Sequence, residues 1–124
     1  MRLVYARRQR AVDNGDVMMG KGVILVWSNP ESPEKEAEYN TWYNGIHIDE
    51  LCAGTGCHRV TRHKVSDSTQ MPGAGKSPYK YLAIYEFEDL AAGFAKIAAV
   101  QNTPGPIDPD TRITVFDGVF DFAR

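Results

Sequence analysis

The sequence predicts an α+β domain of the ferredoxin-like kind, in βαββαβ order with an antiparallel four-stranded sheet. Three observations carry that prediction. Four segments rich in β-branched and aromatic residues begin at Gly22, Cys57, Tyr79 and Arg112. Segments with apolar residues at helical spacing follow the first and third of them. Runs of Gly, Pro, Asn and Ser separate the elements. The length of 124 residues suits one domain, and 43% apolar with 24% charged residues argues against disorder.

Residues 1–20 read as an N-terminal arm or upstream extension: they are polar, carry Arg7, Arg8 and Arg10, and contain the turn signal Asn14-Gly15. The folded domain is expected over 21–124. Its first strand, Gly22 to Ser28, is apolar on both sides, with Val23, Leu25 and Trp27 alternating with Ile24 and Val26. A helix follows, with Ser32 as N-cap, Pro33 in its first position and Glu34 and Glu36 at its positive end. Tyr39, Trp42, Tyr43 and Ile46 form its expected buried stripe, which runs on through Leu51, while Gly45 weakens the last turns. Gly54 and Gly56 end the segment.

The second strand is expected over Cys57 to Val65, with Cys57, Arg59, Thr61, His63 and Val65 on one face and His58, Val60, Arg62 and Lys64 on the other. Residues 66–78 form a loop long enough to serve as a flap. The third strand, Tyr79 to Glu88, again has two largely apolar faces. Asp89 caps a second helix from Leu90 to about Val100, with Leu90, Phe94, Ile97 and Ala98 facing inward. Asn102 to Asp110 is a proline-rich loop, and a last strand runs from Arg112 to Phe122. Two helices cover one sheet face; the other face is apolar in strands one and three, so self-pairing into a homodimer is expected.

Charge and composition exclude several classes. A net charge of −2 selects neither nucleic acid nor an anionic membrane. No apolar run is long enough to cross a bilayer, and no secretory h-region is present. Two cysteines make no disulfide framework, and a cytoplasmic location is expected. The spacing C-x4-C-H, with His47, His58 and His63 nearby, does not match a zinc motif, and Gly73, Gly75 and Lys76 form no phosphate loop, so neither metal nor organic cofactor is expected.

The stretch EYNTWYNGIHIDELCAGTGCHRVTRHKV resembles the signature of the EthD-like branch of the dimeric α/β-barrel superfamily. That pattern is an aromatic helix ending in Trp-Tyr-x-x-x-His-x-Pro-Glu-Leu, then a Pro-Gly turn into an Arg-bearing strand. The matching residues are Trp42, Tyr43, His47, Glu50, Leu51, Gly56 and Arg62, and PYKYLAIYEFED resembles the third strand. Asp49 and Thr55 stand where the pattern has proline. The resemblance covers residues 22–124 and implies a dimeric barrel. Relatives include cofactor-free monooxygenases, dehydratases, cyclases, isomerases and lyases acting on small, often aromatic molecules.

His47 is the leading catalytic candidate, because imidazole exchanges protons near neutral pH. Tyr43 and Glu50 lie about one turn to either side of it, and a carboxylate beside a histidine raises its basicity. Arg62 and His63 point opposite ways on the second strand; whichever faces the interior could bind an anion, and His58 shares that ambiguity. Tyr43, Tyr81, Tyr85, Trp27 and Phe116 could line an aromatic pocket, or simply fill the core. The expected function is acid/base proton transfer on an aromatic or polyketide-like small molecule, of lyase, isomerase or dehydratase type. The alternatives are a cofactor-independent monooxygenase and a non-catalytic ligand-binding dimer.

Overall fold

A computed structural model describes residues 20–124. The expected N-terminal arm therefore lies, except for Gly20, outside the described residues. The chain runs β1 (Gly22–Ser28), a 3-10 turn (Pro33–Lys35), α1 (Glu36–Trp42), a π-helical turn (Tyr43–His47), α2 (Ile48–Cys52), β2 (Cys57–Lys64), β3 (Tyr81–Phe87), α3 (Leu90–Ile97) and β4 (Arg112–Asp117). The strands make one sheet in the order β2-β3-β1-β4, and each neighbouring pair is antiparallel. This α+β arrangement is compatible with a ferredoxin-like fold.

Pairing decides which side of the sheet each residue takes. Tyr81, Ala83, Tyr85 and Phe87 of β3 are buried, as is Ile24 of β1, and Val26 packs with them. Tyr39, Trp42, Tyr43 and Leu90 complete this core from the helices. The opposite side of β1 and β3 carries Val23, Leu25, Trp27, Leu82 and Ile84, all half-buried, with Phe116 of β4 half exposed beside Val23. No helix covers that face among the described residues.

Several expectations change. β3 and β4 are shorter than predicted, and residues 118–124 form no strand. Ser32 sits extended at the start of the 3-10 turn, but its side chain does not cap it. β2 ends at Lys64, and a bulge between Cys57 and Arg59 shifts its register. The extra residue puts Cys57 on the core side with Phe87, whereas Arg59, Thr61 and His63 face the open side opposite Glu86, Ile84 and Leu82. α3 stops at Ile97, and Ala98 is exposed. Asp89 caps it as predicted, its Oδ1 accepting the Ala92 N–H at 3.1 Å. Phe94, expected inside, is 51% exposed. Gly93 takes the inward position instead, because α3 lies so close to Phe87 that a side chain there would overlap its ring.

Ile46 also leaves the buried stripe, at 42% exposed. The cause is the π turn: the Ile48 N–H bonds the Tyr43 carbonyl five residues back, so one extra residue is wound into the helical rod. The inward stripe then passes from Trp42 and Tyr43 to His47 instead of Ile46, and on to Ile48, Leu51 and Cys52.

Candidate functional site

The π turn builds the surroundings of His47. In a regular α-helix, residues five apart point well away from each other. Here Trp42 and His47 stack, with ring centroids 4.5 Å apart and planes 20° from parallel. Tyr43 meets the imidazole edge-on at 4.9 Å. The His47 Nδ1 is buried with no hydrogen-bond partner among the described residues. Burial lowers the His47 pKa; the Glu50 carboxylate opposes that shift, and the Arg62 cation adds to it. The imidazole is therefore neutral at neutral pH.

Glu50 is held from far along the chain. It accepts the Thr103 N–H at 2.7 Å and the Thr103 hydroxyl, and these bonds keep its carboxyl below the usual range. The Thr103 carbonyl in turn accepts the Trp42 indole N–H at 2.9 Å. Two residues on, Gly105 lies flat against the Trp42 ring, where a Cβ would stand 2.1 Å from the indole. Backbone bonds from Glu31 to Pro106 and from Asp108 to Asn29 fix this strap over the helical rod. Asp49, where the family pattern has proline, is exposed and acts electrostatically on Cys52.

The register places Arg62 on the core side, opposite Ala83. Its guanidinium lies over the rings of Tyr43, Tyr81 and Tyr39, at 4.1, 4.9 and 5.2 Å. Its Nη1 donates to the Asn40 and Asn44 side-chain oxygens at 3.0 and 2.9 Å. Its Nε and Nη2 are buried with no hydrogen-bond partner among the described residues. Asn40 also donates to the Tyr81 hydroxyl, which donates to Glu36. Tyr85 donates to the Tyr43 hydroxyl at 3.1 Å, and burial raises both phenols.

The predicted site residues thus divide between the two sides of the sheet. His47, Tyr43, Arg62 and Tyr85 gather between helix and sheet, with Glu50 beside His47. His63, Trp27 and Phe116 lie on the open face. There His63 bonds the Thr61 hydroxyl, and Arg112 lies over Trp27 at 5.4 Å. Trp27 and His63 border a cleft of about 220 Å³ with Tyr79 and Leu82. His58 sits at the bulge, near Glu86 and Glu88 on the rim. A larger cavity of about 660 Å³ lies under the 66–78 loop, against Asn29, Tyr79 and Lys80, and no predicted site residue lines it. Glu50 borders a cleft of about 320 Å³ with Thr55 and Lys96.

Asn40, Asn44 and Thr103 are the contributors that sequence reasoning missed. The Asn40/Asn44 pair was visible as two amides four apart on one helix face; Thr103 carried no signal. No protein-family model, curated protein or solved structure matches the chain.

Proposed function

We propose that the protein is a small enzyme that moves a proton on an aromatic or polyketide-like molecule, as a lyase, isomerase or dehydratase, without metal or organic cofactor. His47 carries the reading: a half-buried, neutral imidazole, fixed between Trp42 and Tyr43, next to a carboxylate. A neutral imidazole is the base such chemistry needs, and Glu50 stabilises the imidazolium that forms. The cleft at Glu50, lined by Glu50 and not by His47, is of a size for a small ring compound. Arg62 supports the site from behind, its charge spread over the tyrosines.

The test is carbon-bound hydrogen exchange in D2O, followed by NMR over a panel of phenols and aromatic 1,3-dicarbonyl compounds. Wild-type protein is expected to catalyse exchange in members of the panel. His47→Ala should lose about 100-fold or more. Exchange near the wild-type rate in that variant overturns the assignment. Because the His47 pKa is lowered, the neutral base persists as pH falls past the usual histidine value of 6.5. The acid limb of the rate profile should therefore lie below pH 6.5.

The same proposal includes a cytoplasmic homodimer in which two open faces meet as a barrel. The apolar row Val23, Leu25, Leu82 and Ile84 supports it. Sedimentation should give twice the 13.8 kDa chain mass, and Leu25→Lys with Ile84→Glu should give the single mass. A second reading, a non-catalytic ligand-binding dimer, is favoured by the Trp27–His63 cleft, which lies across the sheet from His47. It predicts that ligand contact shifts His63 resonances and leaves His47 unmoved.

A further inference from the structure

The turn between the helical rod and β2 holds both cysteines of the chain. Cys52 ends α2 and Cys57 opens β2. Thr55, 3% exposed, closes the turn between them. Its hydroxyl lies 2.9 Å from the Leu51 carbonyl and 3.3 Å from the Cys52 carbonyl as donor, and it accepts the Cys57 N–H at 3.4 Å. One oxygen therefore ties the two cysteine backbones together. Gly54 and Gly56, at φ +73° and +82°, supply the left-handed backbone that reverses the chain in so few residues. Both cysteine side chains are half-buried and pack on the same core cluster. The end of α2 packs against the start of β2, which brings the two side chains to one edge of the core. Burial, then the Cys57 thiol, push the Cys52 thiol up to about 12. Neither thiol has a role in the His47 site.

We propose that Cys52 and Cys57 form a reversible intramolecular disulfide by exchange with a low-molecular-weight disulfide of the glutathione type. Cys57 Sγ, as thiolate, attacks one sulfur of that reagent; the S–S bond breaks and one glutathione thiol leaves. Cys52 Sγ then gives up its proton and attacks Cys57 Sγ, expelling the second glutathione. Two protein thiols are oxidised, one glutathione disulfide is reduced, and the two protons end on the two glutathione thiols. Cys57 acts first because burial holds the proton on the Cys52 thiol. Once Cys57 is in mixed disulfide, its thiol no longer adds to the burial that holds the Cys52 proton. The bond would fix the end of the rod that carries His47 and Glu50 to the strand that carries Arg62. It stands without the proposed enzymatic role.

The experiment equilibrates the full chain with reduced and oxidised glutathione, quenches with acid, alkylates with N-ethylmaleimide and reads intact and tryptic masses. The tryptic peptide of residues 36–59 contains both cysteines. The expected product is that peptide about 2 Da lighter and unalkylated. A melting temperature higher by about 5–10 °C than that of the reduced protein should accompany it. Cys52→Ser should stop at a glutathione adduct on Cys57. Persistent adducts on the wild-type chain, full alkylation of both thiols in oxidising buffer, or a disulfide-linked dimer would each overturn the proposal. A Cys57→Ser variant whose Cys52 reacts as fast as the wild type oxidises would overturn the order of attack.

Discussion

Replacing Gly93 with valine is expected to destabilise the protein by about 3 kcal/mol or more. Gly93 is buried on α3, and the space for a side chain is already taken. A Cβ there would lie 2.4 and 2.7 Å from two carbons of the Phe87 ring and 2.8 Å from the Thr55 carbonyl oxygen. Neither neighbour can give way easily. Phe87 is 2% exposed, enclosed by the core, and Thr55 is pinned by its bonds to Leu51, Cys52 and Cys57. The helix itself must lift, which uncovers Leu90 and Phe87 together. Gain in helix propensity offsets only about 1 kcal/mol of this for alanine and less for β-branched valine. Gly93→Ala should therefore cost about 1–2 kcal/mol and Gly93→Val clearly more. Ala92→Val, one residue away and exposed, should change stability by less than about 0.7 kcal/mol. Urea unfolding of the three variants measures this directly. A Gly93→Val variant within about 0.5 kcal/mol of wild type would mean that α3 does not rest on Phe87.

The same contact shows what the sequence could and could not reveal. Hydrophobic periodicity selects large apolar residues, so it favoured Phe94 for the inward face of α3. The position that in fact faces the sheet is occupied by the residue with nothing to bury. Where an element is regular, the reading worked. β3 has no bulge, and its alternation sorts Tyr81, Ala83, Tyr85 and Phe87 from Leu82 and Ile84 without error. Where one residue is inserted, it failed. The bulge in β2 reverses the side taken by Cys57 relative to Arg59, and the π turn moves the stripe from Ile46 to His47. A one-residue insertion leaves composition unchanged and alters every downstream direction. Arg62 and His63 could be assigned only once pairing with Ala83 and Leu82 was known. The clamp of Thr103 on Glu50 joins residues 53 apart, beyond the reach of any local pattern.

The π turn leads to an expected result that runs against intuition about helices. Deleting Gly45 should change stability by less than about 1 kcal/mol and leave His47 in place. Deleting Thr41, three residues upstream of Asn44, should cost about 3–5 kcal/mol. Gly45 is exposed, a Cβ placed on it would meet no other packed element within 4 Å among the described residues, and it sits inside the π turn with its surplus residue. Removing it converts the bond from Ile48 to Tyr43 from five residues to four, which is α-helical spacing. Ile48, Leu51 and Cys52 keep their places, and His47 becomes the fourth residue after Trp42, still on the same face. The poorest helix former in the rod is lost as well. Thr41 is equally exposed, but it lies in regular α-helix between Tyr39 and Trp42, both buried. Its removal turns those two aromatic residues about 100° relative to each other. One of them must leave the core, and with Tyr39 would go its 2.6 Å bond to Ser28 and its place beneath Arg62. Thermal and urea unfolding rank the two deletions, and the NMR titration of His47 checks the site. In the Gly45 deletion its pKa should stay below the usual value, since the burial that lowers it is retained. If both deletions cost the same, the inserted residue is not what turns His47 inward.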